Sequence, residues 1–165
     1  MTSDRNVTAN FELGSYPLAL TAGQGGSVIG SGNFSHGKTV NITASPDAGY
    51  RFTGWTGGSP ADANAKSTTV TVTKPVTLTA NFEKIRYSIH VSVTPIGAGS
   101  VSGADSFEYG ETVTLTATPI KGYQLSHWSG TTFASSSATE QTLIVTSDLN
   151  LAVTFDRHPN AGTLS

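Results

Sequence analysis

Four histidines and eleven acidic residues are the side chains through which this chain could hold a metal ion or move protons. His36, His90, His127 and His158 show no pair at the spacing of metal ligands on one strand or turn. Glycoside cleavage needs two carboxylates facing each other across a cleft. Here Asp47, Asp62, Asp105, Glu108, Glu111 and Asp148 fall mostly at turns and strand ends, with no repeated pair. Serine is abundant, yet no Gly-x-Ser-x-Gly elbow occurs. Asp62-Ala-Asn64 has the beginning of a calcium loop without its later acidic ligands. No metal site, cofactor or catalytic set is expected, and the chain is read as a non-enzyme. The Asn-x-Ser/Thr triplets at Asn6, Asn33 and Asn41 are what chance gives in a threonine-rich chain.

Aromatic side chains offer a different chemistry, because the C–H face of a pyranose ring stacks on an exposed indole or phenol. Tyr50 and Trp55 recur as Tyr123 and Trp128, and Tyr109 and Phe133 are aromatics of one region only. Trp55, Trp128, Tyr109 and Phe133 are therefore the candidate ligand contacts, with a polysaccharide or another cell-surface molecule as partner. The competing reading makes the tryptophans core, since small β domains without disulfides need large buried side chains. Parity bears on this choice. Tyr123, Leu125 and His127 share one face of a regular strand, which turns Trp128 to the other, and a bulge near Gly54 or His127 would return both indoles to the core.

The elements that must position these residues are duplicated. Residues 26–57 laid on 99–130, at an offset of 73, match at 15 of 32 positions without a gap. Repeats of this kind mark modular arrays. Each copy closes on an alternating run, Val76 to Phe82 with Glu83 and Leu149 to Phe155 with Asp156, and Val7 to Phe11 with Glu12 has the same pattern. Residues 1–12 thus read as the closing strand of a preceding copy, 13–84 and 85–157 as two repeat domains, and 158–165 as a linker tail. On that reading the chain is part of a longer array, with Met1 a start codon set before it. Val7 to Phe11 is expected to pair with the first copy as an extra edge strand, because an alternating run left free exposes apolar groups.

Strict alternation in 40–44, 70–72 and 76–82, repeated in 113–117, 143–145 and 149–155, predicts half-buried strands. Gly, Pro, Asn and Ser clusters between them predict tight turns. Two extra residues of the second copy, between Tyr87 and Val101, are assigned to the loop of a first hairpin. Ser59-Pro60-Ala-Asp62 could cap one or two helical turns through Lys66. The expected fold is all-β: two tandem meander-like domains with at most that short helix. Thr69, Thr71 and Thr73, with Thr77 and Thr79, are expected to stand outward along neighbouring strands, as are Thr112, Thr114 and Thr116, in the ordinary manner of a solvated strand face.

The charged fraction is 12% and the formal net charge −2. No basic stripe is present to follow a nucleic-acid backbone, and no apolar run reaches the length of a membrane span. Cysteine is absent, which excludes a disulfide framework.

Tyr109-Gly-Glu-Thr-Val-Thr-Leu-Thr-Ala117, Pro119 with Gly122-Tyr123, Trp128-Ser-Gly130 and the Val-Thr-Ala-x-Phe closing run together resemble the divergent class of the internalin B-repeat. Departures are His36 and Lys38 for the usual Tyr and Glu, Leu125 for Phe, and His127 for Gly. The resemblance implies non-catalytic modules of a secreted or surface-displayed bacterial protein, β-grasp-like in fold, serving as a semi-rigid spacer or adhesive stalk beside adjacent repeats of the same chain. The alternative it leaves is a carbohydrate-binding module appended to a polysaccharide-degrading enzyme.

Overall fold

The computed structural model describes residues 5–159, and the chain divides into two units between Glu83 and Lys84. The first contains β1 (Ser15–Ala22), β2 (Gly26–Ile29), β3 (Gly32–Ser35), β4 (Lys38–Pro46), β5 (Tyr50–Thr56), β6 (Ser67–Val72) and β7 (Val76–Lys84). The second contains β8 (Arg86–Thr94), β9 (Gly99–Ser102), β10 (Ser106–Glu108), β11 (Thr112–Pro119), β12 (Tyr123–Ser129), β13 (Glu140–Ile144) and β14 (Leu149–Arg157). Among the described residues there is no helix, and the fold is all-β with two repeat-like halves.

Each unit is built from two sheets. A four-stranded sheet has the order β3-β1-β7-β5 in unit 1 and β10-β8-β14-β12 in unit 2. A three-stranded sheet has the order β2-β4-β6 and β13-β11-β9. Alternation sends Val40, Ile42 and Ala44 of β4 and Val70 and Val72 of β6 inward. They meet Leu18 of β1 and Leu78 and Ala80 of β7 in one cluster drawn from both sheets. Val113, Leu115 and Ala117 do the same against Leu151, Val153 and Phe155 in unit 2. A β-grasp fold carries a helix on its sheet; here the four-stranded sheet is covered by a second sheet instead.

The first and last strands of each unit lie side by side and parallel. Leu18 to Ala22 runs beside Val76 to Ala80, and Ile89 to Thr94 beside Leu149 to Thr154. A meander has no such pairing, so the meander expectation is corrected. The first two strands do not form a hairpin either: β1 and β2 belong to different sheets, as do β8 and β9. The two extra residues of the second copy therefore lie in a connection between sheets, at Pro95–Ala98. Such a connection has no ladder register to disturb.

Three further expectations change. Val7 to Phe11 forms no strand, and Val7 and Phe11 are 89% and 92% exposed. Both neighbours of β1 are already taken, by β3 and β7, and the segment joins none of the free sheet edges. Residues 1–4 and 160–165 of the predicted end segments lie outside the described residues. His158, placed in the tail by sequence, donates its backbone N–H to Gly122 O at 2.8 Å. The threonine ladder is divided between sheets, because β6 pairs with β4 and not with β7. Thr39 meets Thr71 at 3.1 Å, Thr43 meets Ser67 at 3.2 Å, and Thr114 meets Thr142 at 3.4 Å.

Gly26 and Gly99 occupy equivalent places where the chain passes over the ring of the closing phenylalanine, Phe82 and Phe155. A Cβ at Gly99 would lie 2.6 Å from the Phe155 ring, so the tight crossing is reserved for glycine in both units.

Candidate functional site

Trp55 and Trp128 are 5% and 2% exposed, and neither presents an indole face to solvent. A register shift between Leu125 and His127 brings Trp128 inward: the ladder pairs Leu125 with Phe155, skips Ser126, and resumes with His127 opposite Thr154. His127 thereby turns to solvent and Trp128 falls on the core face. Unit 1 makes the corresponding inward turn at Gly54, whose φ of +143° lies in a region that other residues rarely adopt. Asn81 secures that turn, donating from Nδ2 to Gly54 O at 3.1 Å and to Thr56 Oγ1 at 3.0 Å.

Burying an indole requires a partner for its N–H. The loop after each tryptophan supplies it. Trp55 Nε1 donates to Ala65 O at 3.0 Å while its backbone N–H donates to Ala63 O at 2.7 Å. Trp128 does the same to Ala138 O at 3.0 Å and Ser136 O at 2.7 Å. Ser59 to Lys66 is not helical despite its capping residues: its carbonyls at Ala63 and Ala65 go to the tryptophan, and its amides at Ala61 and Asp62 go to Thr69 O and Thr68 Oγ1 of β6. Asp62 caps locally instead, accepting from Asn64 N–H at 2.8 Å through Oδ1.

The aromatics found in one copy occupy different surroundings. Phe133 is half-buried and packs against the unit 2 core, its ring centroid 6.0 Å from that of Trp128. Tyr109 is half-buried where β10 turns into β11, held by its N–H on Ile85 O at 2.9 Å. Sequence reasoning missed Gln141, a buried polar residue at 5% exposure. Its Nε2 donates to Ser135 O at 2.6 Å and Ala138 O at 3.0 Å, closing the loop over Trp128. Its alternating position on β13 pointed inward, but a glutamine there carries no motif to announce it.

Charged groups collect at one place in unit 2. Glu108 bonds Lys84 Nζ at 3.0 Å and lies 3.7 Å from Arg86. The hydrogen bond from Lys84, followed by the Lys84 charge, holds its carboxyl below the usual range. In unit 1 Arg51 pairs with Glu83. A groove of about 470 Å³ lined by Ser59, Thr71, Thr73, Lys74 and Thr77 contains none of the candidate aromatics. No group of three or more His, Asp or Glu among the described residues could hold a metal ion.

The sequence profile of the divergent InlB B-repeat domain matches twice, over residues 16–86 and 89–159. The chain belongs to that family. Comparison with curated proteins and with solved structures returned no match. Divergent InlB B-repeats are associated with bacterial surface or secreted proteins, and the family is typically non-catalytic. The two matched B-repeats follow the two folded units, each with its buried tryptophan.

Proposed function

We propose that the two repeats are force-resisting spacer modules in a stalk of a secreted or surface-displayed bacterial protein, without catalytic activity of their own. The observation that carries this reading is the parallel pairing of first and last strands. Force entering at the start of β1 and leaving at the end of β7 pulls two adjacent strands in opposite directions along their lengths. The hydrogen bonds of a parallel ladder lie across that direction, so they are loaded together and not opened one by one. The same holds for β8 and β14.

Positions shared by the two copies support the reading, since Trp55/Trp128, Gly26/Gly99 and Phe82/Phe155 all build or close a core. What is repeated serves the fold. The test is single-molecule pulling from the two termini. Each unit should resist as one step and release on the order of 200 Å of chain. Forced unfolding is governed by the unfolding barrier, so pulling across β12 and β14, antiparallel neighbours opened from one end, should need less force. Equal forces in the two directions would remove the support.

The second reading, binding of a polysaccharide, is favoured by the partial exposure of Tyr109 and Phe133, the aromatics special to unit 2. A glycan array and a pull-down on insoluble polysaccharides, with Tyr109→Ala and Phe133→Ala variants checked for folding, test it. Binding lost in a folded variant would establish it.

A further inference from the structure

In unit 1 the outer strand of the three-stranded sheet borders a polar groove. β6 ends the order β2-β4-β6, and the loop after β5 is fastened along its open side. Ala61 N–H donates to Thr69 O at 2.8 Å, and Asp62 N–H to Thr68 Oγ1 at 3.0 Å. From Thr71 onward the edge lines the groove of about 470 Å³ instead. That volume falls within the range of small-molecule sites.

Ser59, Thr71, Thr73 and Thr77 bring hydroxyl groups to this groove, Lys74 brings an ammonium group, and no carboxylate lines it. Among the described residues Lys74 pairs with no acid, unlike Arg51, Lys84 and Arg86. Lys38 adds a second positive charge nearby, standing opposite Val72 in the ladder of β4 and β6. The Thr71 hydroxyl lies 3.1 Å from that of Thr39, a contact that leaves it further lone-pair capacity. Pro75 and Val76 form an apolar margin.

Unit 2 lacks this chemistry at the same place. At the shared offset Ile144 stands for Thr71, Ser147 for Lys74, Asp148 for Pro75 and Glu111 for Lys38. Ile144 is 62% exposed, and Asp148 Oδ1 accepts from Ser88 N–H at 2.8 Å. Since unit 2 builds the same pair of sheets without them, the two lysines are not required by the fold.

We infer that the groove of unit 1 binds a carboxylated saccharide, a uronic acid unit of an acidic polysaccharide. Lys74 would hold the carboxylate by a charge-assisted hydrogen bond. The serine and threonine hydroxyls both donate and accept, as a ring bearing several hydroxyls requires. An added peptide strand suits the place less well, because strands commonly run about five or six residues and the open edge spans Thr71 to Thr73. This site is separate from Tyr109 and Phe133 in position and in chemistry, using charge and hydroxyls where those would use a ring face. It is also independent of the spacer reading.

The experiment titrates the intact chain with uronic acid tetramers of galacturonate, mannuronate, guluronate and glucuronate, followed by amide NMR. At least one should shift the amides of Thr71, Thr73, Lys74 and Thr77 while both indole N–H signals stay in place. The methyl ester of that tetramer has the same ring hydroxyls without the charge, and should bind roughly tenfold more weakly. Lys74→Ser should weaken binding as much and leave the melting of unit 1 unchanged, and Thr71→Ile combined with Lys74→Ser should remove it. The inference is overturned if no tetramer shifts these amides at millimolar concentration, if Lys74→Ser binds as the parent chain does, or if tetraglutamate binds as well as the tetramer. Loss of binding in Tyr109→Ala but not in Lys74→Ser would assign it to unit 2 and overturn the inference as well.

Discussion

The surroundings of Trp55 and Trp128 show how one skeleton accepts two side-chain solutions. In unit 1 the indole meets a strand neighbour, with the Phe52 ring 5.7 Å away and Phe52 in turn 5.9 Å from Phe82. Unit 2 has Leu125 in place of Phe52, and its aromatic partner arrives from the loop as Phe133. The loop itself is secured in opposite senses at one position. Thr68 Oγ1 accepts from Asp62 N–H at 3.0 Å, whereas Gln141 Nε2 donates to Ser135 O, and both pairs lie at the shared offset. The backbone bonds to Trp and the closed loop are retained; the side chains that hold them are exchangeable. Phe133 is thus accounted for as a packing substitute for the ring that Leu125 lacks, and Tyr109 is left as the one candidate aromatic outside the core clusters.

The largest disturbance should come from the tryptophans. Trp128→Ala removes a buried ring and the indole N–H bond to Ala138 O, at a cost of about 3–5 kcal/mol. That is a large part of the stability of a domain this size. Unit 2 should lose its thermal transition while unit 1 keeps its own, and Trp55→Ala should do the converse, as followed by amide NMR spectra. Next in size is the aromatic exchange. Phe133→Ala should destabilise unit 2 by about 1–2 kcal/mol in denaturant melts. Adding Leu125→Phe should recover part of that loss, and strict additivity of the two changes would contradict the substitution account.

Loop fastening comes third. Gln141→Ala empties a buried position and removes its two donor bonds to Ser135 O and Ala138 O, and should cost about 1–2 kcal/mol. Thr68→Ala frees an exposed amide that water can satisfy, and should cost about 0.5 kcal/mol. Smaller still is the effect of pH on Glu108. Its carboxyl is held below the usual range by Lys84, so its stabilising contribution is complete above the ordinary carboxylate pKa. The contribution falls away as pH drops through the lowered value. Unit 2 should show a slight loss of melting temperature in strong acid that Glu108→Gln abolishes and salt reduces. Deleting residues 1–11 should change the melting temperature of neither unit, since Val7 to Phe11 pairs with no strand of the described fold.

Much of this was legible in the chain. Alternating Val40-Ile42-Ala44 and Leu78-Ala80 marked the buried faces, and the parity conflict at Trp128 marked where a bulge would turn the indole inward, as it does in β12. Sheet partition was not legible, because the parallel pairing of β1 with β7 joins residues far apart and leaves no local pattern. The short strands β3 and β10 were hidden too: Gly32-Asn33 has turn chemistry, and an edge strand tolerates it. Ser59 to Lys66 misled for a different reason, its local capping preference being overridden by a tryptophan outside the segment. In the candidate site, the chain left both indoles open to a core or a ligand-contact reading, and their burial, like the roles of Gln141 and Phe133, depended on contacts across the loop.

The central claim is that the repeated tryptophans are internal supports over which each loop closes. Hydrogen exchange of the two indole Nε1–H groups, read by NMR on the intact chain with and without soluble polysaccharide, tests it most directly. Both protons should exchange slowly, as carbonyl-bonded groups in a core do, and neither should shift on addition of sugar. Fast exchange at either indole, or a saccharide-dependent shift in a chain that remains folded, would contradict the account.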